Sequence, residues 1–328
     1  MQVFQRFSQA FAALALGVYI VLGSSGASAQ AYPKGPVRVI VPFPPGGGVD
    51  TAGRLLAQSL ADQLGKPFIV ENRGGANGNI GTEQAAKAAN DGYTLLFTGA
   101  GLVTNPSLYK QVPYDPVKDF APISLMAFGP NVLVVHPSLP VKSVPELIAL
   151  AKSKPGEIGF AGSGSGSTPH LAGELFNLLA GVRMIHVPYA GTGPAMIGLL
   201  RGDAPVMFLP VISGGPQIAA GRLRAIAVTS HERLAAMPDL PTVAQAGLAG
   251  YESSQWYGVL APGGTPVEIL GTVNASIGRI MQSPEMKARL AKDGLVPAAG
   301  TREQFAAHIR GEMDKWARVI KASGASAE

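Results

Sequence analysis

The sequence lacks cysteine and contains few charged residues, and both shortages limit what the protein can be. None of its 328 residues is Cys, and Asp, Glu, Lys and Arg together make up 14%. Such a chain has no disulfide, no thiolate metal site and no N-terminal cysteine to carry a lipid. Stability must therefore come from a large apolar core, which a hydrophobic content of 47% can supply.

Concentrated positive charge is absent as well. The formal net charge is +5, and the basic residues are scattered without any run that is interleaved with aromatic residues. Nucleic-acid-binding proteins usually carry a basic patch or stripe, so nucleic acid is not expected as a partner. A mild positive balance suits a protein that attracts small anions.

Long apolar runs are missing except near the N-terminus. Arg6 is the only charge before an apolar run from Phe11 to Leu22, and small residues follow up to Ala29. A basic start, a short apolar region and an Ala-x-Ala site are the parts of a secretory signal. The alternative, a membrane anchor, needs about 20 apolar residues, and this run ends sooner in Gly and Ser. We predict a signal peptide over residues 1–29, cleavage after Ala29 and a periplasmic location.

The familiar catalytic and metal-binding motifs are absent too. The sequence has no H-E-x-x-H motif, no P-loop and no G-x-G-x-x-G fingerprint, and its five histidines show no metal-ligand spacing. Neither Ser163 nor Ser165 has the flanking glycines of a G-x-S-x-G elbow. We therefore expect no enzyme, no metal and no cofactor. An exported hydrolase that uses the Ser-rich loop remains an alternative, because catalytic groups assemble in space.

What is present is an alternation of short β-branched runs and helical patterns. This alternation predicts a parallel sheet with right-handed crossovers, in two α/β units of about a hundred residues each. The predicted strands cover residues 37–41, 68–70, 93–98, 132–135, 158–161, 183–188, 205–209 and 223–229. The C-terminal region is mostly helical, with Phe305 and Trp316 expected on its buried side. Ligands of such sheets bind beyond the carboxyl ends of the strands, so we expect the ligand-binding residues in the loops there.

Three consecutive glycines follow the first predicted strand. Gly46, Gly47 and Gly48 lie between Phe43-Pro44 and the first helix. Open backbone N–H groups and the positive end of the helix dipole can hold a carboxylate or phosphate without Lys or Arg. A tight turn that needs glycine for a positive φ explains the same residues.

Three further loops repeat this arrangement of small residues. The Gly/Ser loop of the second unit offers the hydroxyls of Ser163, Ser167 and Thr168. His170 begins the next helix, where it either contacts a ligand or makes a structural hydrogen bond. The other two loops add the candidates Tyr189, Gly191 and Thr192, and Thr98 and Gly99. Together these loops form a candidate anion-binding site in a cleft between the two units.

Motifs that match one known family run through the whole chain in order. They are Val41-Pro42-Phe43-Pro44-Pro45-Gly46-Gly47, Val70-Glu71-Asn72-Arg73, Gly78-Asn79-Ile80-Gly81, Asp91-Gly92-Tyr93-Thr94-Leu95, Pro113-Tyr114-Asp115 and His186-Val187-Pro188-Tyr189. The chain resembles the solute-binding receptors of tripartite tricarboxylate transporters, also called Bug receptors. The resemblance implies a small carboxylate as ligand and membrane transporter subunits as partners. We expect a monomer, and a sensory co-receptor stays open as an alternative role.

The resemblance also implies the fold and the roles of the loops. The fold is an α/β, two-lobed periplasmic-binding-protein fold of the Venus-flytrap kind (type II) with two hinge strands. Lobe 1 is expected to span residues 30–127 and 229–328, and lobe 2 residues 128–228. Backbone amides and ordered water would hold the ligand carboxylate. The matching positions are Phe43, Gly46, Gly47 and Gly48 in the first lobe and Ser163, Ser167, Thr168, Tyr189, Gly191 and Thr192 in the second.

Two departures from the family pattern bear on the ligand. Leu209 stands where such receptors often carry an Asp that pairs with an amino group. The loop after the third strand is also poor in polar side chains, reading Gly99-Ala100-Gly101. A pocket of this kind favours a carboxylate without an ammonium group and with an aromatic or aliphatic body, including dicarboxylates.

Overall fold

The computed structural model describes residues 32–327. From Gly35 onward the chain forms one compact unit. The predicted signal peptide and its cleavage site lie outside the described residues. Within the described range, no helix is both long and apolar enough to cross a membrane.

Ten strands form a single continuous sheet. Their bounds are β1 (Val37–Val41), β2 (Phe68–Asn72), β3 (Thr94–Thr98), β4 (Phe120–Val135), β5 (Gly159–Gly162), β6 (Ile185–Pro188), β7 (Val206–Pro210), β8 (Arg224–Val228), β9 (Ser254–Pro262) and β10 (Val296–Pro297). The order along the sheet is β2-β1-β3-β9-β4-β7-β5-β6, and β8 and β10 also pair with β4.

Helices connect most of these strands. They are α1 (Gly48–Leu64), α2 (Asn79–Ala86), α3 (Gly101–Leu108), α4 (Val144–Ser153), α5 (Thr168–Ala180), α6 (Thr192–Arg201), α7 (Val211–Ala219), α8 (Val267–Gln282), α9 (Pro284–Lys292) and α10 (Arg302–Ser323). Their ends follow local sequence signals. Gly65 ends α1 in the left-handed conformation, and the Ser143 side chain caps α4.

The sheet is mixed rather than all parallel, which corrects one expectation from the sequence. Strands β1, β2 and β3 pair in parallel, as do β5, β6 and β7. Strands β4 and β9, however, run antiparallel to their neighbours. Strand β4 is mostly apolar and gives no alternating pattern, and Pro122 and Pro130 interrupt it, so the sequence indicated only its last four residues.

Strand β4 links the two lobes of this α/β fold. Residues 120–130 pair with β9, on the side of β1 to β3, whereas residues 131–135 pair with β7 and β8. We call the part built on β1, β2, β3, β9 and β10 the first lobe, and the part built on β5 to β8 the second lobe. The two-lobed α/β architecture of the periplasmic binding proteins is confirmed, while the residue boundaries predicted for the lobes stay a prediction.

Three buried residues connect β4 to the end of β8 and the start of β9, where the chain passes between the lobes. The Thr229 hydroxyl accepts a hydrogen bond from the Asn131 N–H at 2.8 Å and lies 2.5 Å from the Ser253 carbonyl. The backbone N–H of Thr229 donates to the Asn131 carbonyl, and that of Ser253 to the Thr229 carbonyl, both at 2.9 Å. All three residues are fully buried. The crossing is therefore a closed hydrogen-bonded unit that fixes where the lobes meet.

Candidate functional site

The N-terminal ends of five helices surround one small cavity between the lobes. Gly48 and Val49 of α1, Gly101 of α3, Thr168 of α5, Thr192 of α6 and the residue before α7, Pro210, all line it. The N–H groups of a first helical turn have no partner inside the helix, and the helix dipole makes this end positive. Several such ends around one cavity make a site for an anion.

The cavity is small and lined without charge. Its volume is about 30 Å³, which is room for one small polar group. Among the described residues, its lining contains no Asp, Glu, Lys, Arg or His. Backbone dipoles and hydroxyls must therefore recognise whatever binds here.

The triple-glycine loop owes its shape to Asp50. The carboxylate of Asp50 accepts hydrogen bonds from Gly46 N–H at 2.9 Å, Asn72 Nδ2 at 2.8 Å and Arg54 Nε at 3.0 Å. Burial by itself would raise the pKa of Asp50, but these hydrogen bonds outweigh it and hold the pKa below its usual value. Asp50 is thus ionised, and its negative charge is balanced by Arg54 behind the loop. It does not cap α1, whose cap residue Gly47 has no side-chain partner.

The Gly/Ser loop is held by hydrogen bonds within it and to α5. Ser167 caps α5 by accepting from the His170 N–H at 3.4 Å, and its hydroxyl lies 2.7 Å from the Gly164 carbonyl. The Gly166 N–H donates to His170 Nδ1 at 2.8 Å. Gly164 and Gly166 both have positive φ. His170 therefore makes the structural hydrogen bond that was one of its two predicted roles.

The loop that contains Gly191 and Thr192 meets the triple-glycine loop across the cleft. A Cβ on Gly191 would lie 3.0 Å from the Pro44 ring, and one on Gly47 would lie 3.5 Å from Thr192 Oγ1. The Tyr189 ring packs over Gly198 of α6 and also faces a wider outer pocket. The lobes are in contact at these loops, so the structure is a closed one.

Most of the predicted site residues meet at the cleft. The inner cavity is lined by Phe43, Pro44, Gly47, Gly48, Ser163, Ser167, Thr168 and Thr192. Tyr189 and Gly191 line the outer pocket of about 660 Å³, together with Phe43, Pro44 and Ser163. We call this outer pocket the vestibule.

Five predicted residues lie elsewhere. Gly46, Thr98, Gly99, His170 and Leu209 line neither the inner cavity nor the vestibule. Leu209 is fully buried in an apolar cluster of the second lobe, and its side chain packs where a Cβ on Gly214 would be. Gly99 lies against Gln255 and Trp256, where a Cβ would collide with both. Gly46 and His170 make hydrogen bonds that hold the loops, whereas the buried Thr98 hydroxyl has no hydrogen-bond partner among the described residues.

Sequence reasoning missed several contributors to the cavity. Gln255 and Tyr257 come from β9, which the sequence did not indicate. Ala100 and Gly101 were part of the candidate loop after the third strand, but the helix α3 that begins at Gly101 was missed because Pro106 lies inside it. Asn77 was hidden in a glycine-rich stretch that reads as a turn. Its only sequence signal is an Asn in such a stretch, since Asn and Gly are the residues that most readily adopt positive φ.

Two lobes joined by crossing strands, with helix N-termini of both lobes facing an enclosed cleft, define a solute-binding receptor of the periplasmic-binding-protein class. The chain belongs to the tripartite tricarboxylate transporter family receptors, whose family model matches residues 52–325. The resemblance drawn from the motifs is thereby confirmed. Because the family consists of receptors, the prediction that the chain is not an enzyme is confirmed as well.

Individual relatives agree with this assignment. The chain is 40% identical over 316 residues to protein BugT of Bordetella pertussis, which covers 94% of this chain and 96% of that protein. It is similar to the structure of R. palustris Rpa4515 with adipate, with a TM-score of 0.89, 36% identity and coverage of 90% and 99%. It is also similar to MatC from Rhodopseudomonas palustris with bound malate, with a TM-score of 0.83, 31% identity and coverage of 88% and 100%.

Proposed function

We propose that this receptor captures a small carboxylate in the periplasm and delivers it to the membrane subunits of a tripartite tricarboxylate-type transporter. The observation that carries the proposal is the convergence of five helix N-termini on one cavity that has no charged lining. Such a set of dipoles favours an anion over a neutral solute. The adipate and malate held by the two similar proteins support the same class of ligand.

The ligand lacks an ammonium group in this proposal. Neither the inner cavity nor the vestibule has an Asp or Glu among its described lining residues. A buried ammonium group without a carboxylate partner is costly. The apolar contacts of Phe43, Pro44 and Tyr257 suit an aliphatic or aromatic body, so mono- and dicarboxylates fit best.

The lobes act as a trap for this ligand. Open and closed forms are in equilibrium, and a ligand that contacts both lobes favours the closed form. We expect a monomer that presents its closed form to the transporter. The N-terminal signal is what would bring it to the periplasm.

The test compares acids with their uncharged amides. Thermal unfolding of the purified protein is followed with adipate, malate and benzoate, and with adipamide, malamide and benzamide. We expect at least one acid to raise the melting temperature while its amide does not, because a ligand of the native state stabilises it by mass action. Equal shifts with acid and amide would contradict anion recognition.

A pair of variants tests the role of the backbone. Thr192 is the first residue of α6, a position that tolerates proline. Thr192→Pro removes its N–H and its hydroxyl, whereas Thr192→Val removes the hydroxyl alone. We expect Thr192→Pro to weaken binding of the acid about tenfold and Thr192→Val much less. Equal losses would assign recognition to the hydroxyl instead.

A further inference from the structure

Asn77 stands at the junction between the inner cavity and the vestibule and lines both. It lies in a short 3-10 segment of the first lobe, with φ of 50°, and the preceding Ala76 has φ of 48°. Two successive non-glycine residues with positive φ are uncommon, and strain of this kind clusters at functional sites. The backbone here is bent so that the Asn77 side chain faces the cleft.

A buried network fixes which way the Asn77 amide points. Asn105 Nδ2 donates to Asn79 Oδ1 at 2.6 Å and to the Asn77 carbonyl at 3.1 Å. These two acceptors leave Asn105 Oδ1 to accept from Asn77 Nδ2 at 2.8 Å. Tyr114 completes the network by donating to Asn79 Oδ1 at 3.0 Å. The nitrogen of the Asn77 amide is therefore the atom bound to Asn105, and its oxygen is left without a bond beside Gly164 of the second lobe.

This oxygen has no hydrogen-bond partner among the described residues. Asn77 is only 8% exposed, and its Oδ1 lies 3.8 Å from the place where a Cβ on Gly164 of the second lobe would be. A buried acceptor without a donor is unfavourable, so a bound group that donates a hydrogen bond to Asn77 Oδ1 would be stabilised there. Because both lobes enclose the oxygen, that group must be inside the closed cleft.

We propose that Asn77 selects a carboxylate that bears a hydroxyl group, with the hydroxyl donating to Asn77 Oδ1. The inference rests on the proposed function, since the carboxylate is held by the helix N-termini beside it. A hydroxyl is neutral and is satisfied by one amide oxygen. An ammonium group could also donate, but it would be buried without any carboxylate side chain in the lining of the cleft.

The experiment uses sets of acids that differ only at C2. Succinate, malate and aspartate carry hydrogen, hydroxyl and ammonium there, and adipate, 2-hydroxyadipate and 2-aminoadipate repeat the series at greater length. Calorimetric affinities are measured for each with the wild-type protein and with Asn77→Gly. Glycine adopts the same positive φ without strain, so this variant removes the amide and its hydrogen bond to Asn105 without straining the backbone.

We expect the wild type to bind the hydroxy acid of one series about tenfold more tightly than its hydrogen analogue. Asn77→Gly should abolish this preference, so that the hydroxy acid and its hydrogen analogue bind the variant equally well. Ala76→Gly, which loosens the adjacent backbone but keeps the amide, is the matched control and should keep the preference.

The outcomes separate this inference from the proposed function. Equal binding of hydroxy acid and hydrogen analogue, or a preference that survives in Asn77→Gly, overturns the inference while carboxylate capture stands. Tighter binding of the amino acid of either series also overturns it. Absence of binding to every acid in both series contradicts the inference alone, and the comparison of acids with amides, which includes benzoate, decides the proposed function separately.

Discussion

His186, in β6, has a pKa that folding lowers strongly. Burial and the nearby His170 lower its pKa to about 3. The two imidazole rings stack with centroids 3.8 Å apart, and His186 Nε2 has no partner among the described residues. His170 in turn holds the Gly/Ser loop and faces Glu174 at 3.7 Å. His186 is thus neutral directly behind the proposed anion site.

The lowered pKa of His186 predicts a loss of stability in acid. The unfolded chain takes up a proton near pH 6.5 and the folded protein only near pH 3. The stabilising contribution is therefore complete above pH 6.5 and is lost as the pH falls toward 3. As the pH is lowered from 6.5 toward 3, we expect the unfolding free energy of the wild type to fall relative to that of His186→Gln. The slope of this difference should approach about 1.4 kcal/mol per pH unit.

Denaturant titrations between pH 7 and 4 measure this difference. The same substitution at the exposed His231 is the matched control. Parallel pH profiles for wild type and His186→Gln would show that folding does not lower the pKa of His186.

At the residue scale, sequence reasoning found side chains in loops and missed those that depend on tertiary contacts. Thr168 and Thr192 were found because they directly precede or begin helices after strands. Leu209 was assigned to the cleft because it stands where such receptors often carry an Asp, yet its side chain packs into the second-lobe core. Asn77 was missed because its orientation depends on Asn105, 28 positions further along the chain.

At the scale of elements, the site is an arrangement of helix starts, and α5 shows how one start is held. Ser167 caps this helix and bonds back to the Gly164 carbonyl of the loop. Ser283 caps α9 in the same way, accepting from the Met286 N–H at 3.2 Å, but it lies outside the lining of the cleft. The two serines therefore separate the stabilising role of a cap from its role in shaping the site.

Replacing either serine by alanine should destabilise the protein by about 1 kcal/mol, because each change removes a helix cap. Only Ser167→Ala should also weaken binding of the carboxylate found in the screen, since it frees the Gly/Ser loop. Denaturant unfolding and calorimetry measure the two effects. Unchanged affinity in Ser167→Ala would show that the loop keeps its shape without the cap.

The elements themselves were only partly predictable. Helix α1 and strands β1 to β3 follow from local patterns, because β-branched runs and a glycine stop are short-range signals. Strand β9 and helix α3 were missed, since β9 is defined by pairing with β3 and β4 and α3 contains Pro106. These two elements supply Gln255, Tyr257, Ala100 and Gly101 to the cavity.

At the scale of the whole molecule, the closed form is stabilised by contacts between the lobes outside the proposed ligand site. The Thr104 hydroxyl of α3 donates to the Gly166 carbonyl of the second lobe at 2.9 Å. The Thr168 hydroxyl also donates to Gln255 Oε1 on β9, although this second contact lies in the wall of the inner cavity itself. Leu171 of α5 lies in the same buried cluster as Phe305 and Trp316 of α10. Closure therefore has a stabilising contribution of its own, which the ligand supplements.

The Thr104 contact predicts that affinity can be changed without changing selectivity. Thr104→Val keeps the shape of the side chain but leaves the Gly166 carbonyl without its donor, which favours the open form. The apparent dissociation constant rises as the closed population falls. We expect the affinities for a hydroxy acid and its hydrogen analogue to fall by the same factor, about threefold to tenfold. The ratio between them, which we assign to Asn77, should not change.

Small-angle scattering of the free protein provides the second measurement, since a larger open population increases the radius of gyration. The control is Thr272→Val. It removes a similar hydrogen bond, from the Thr272 hydroxyl to the Glu268 carbonyl within α8, and neither residue lines the inner cavity or the vestibule. A change in the selectivity ratio would place Thr104 among the ligand contacts. Unchanged scattering together with unchanged affinity would show that the Thr104–Gly166 bond contributes nothing to closure.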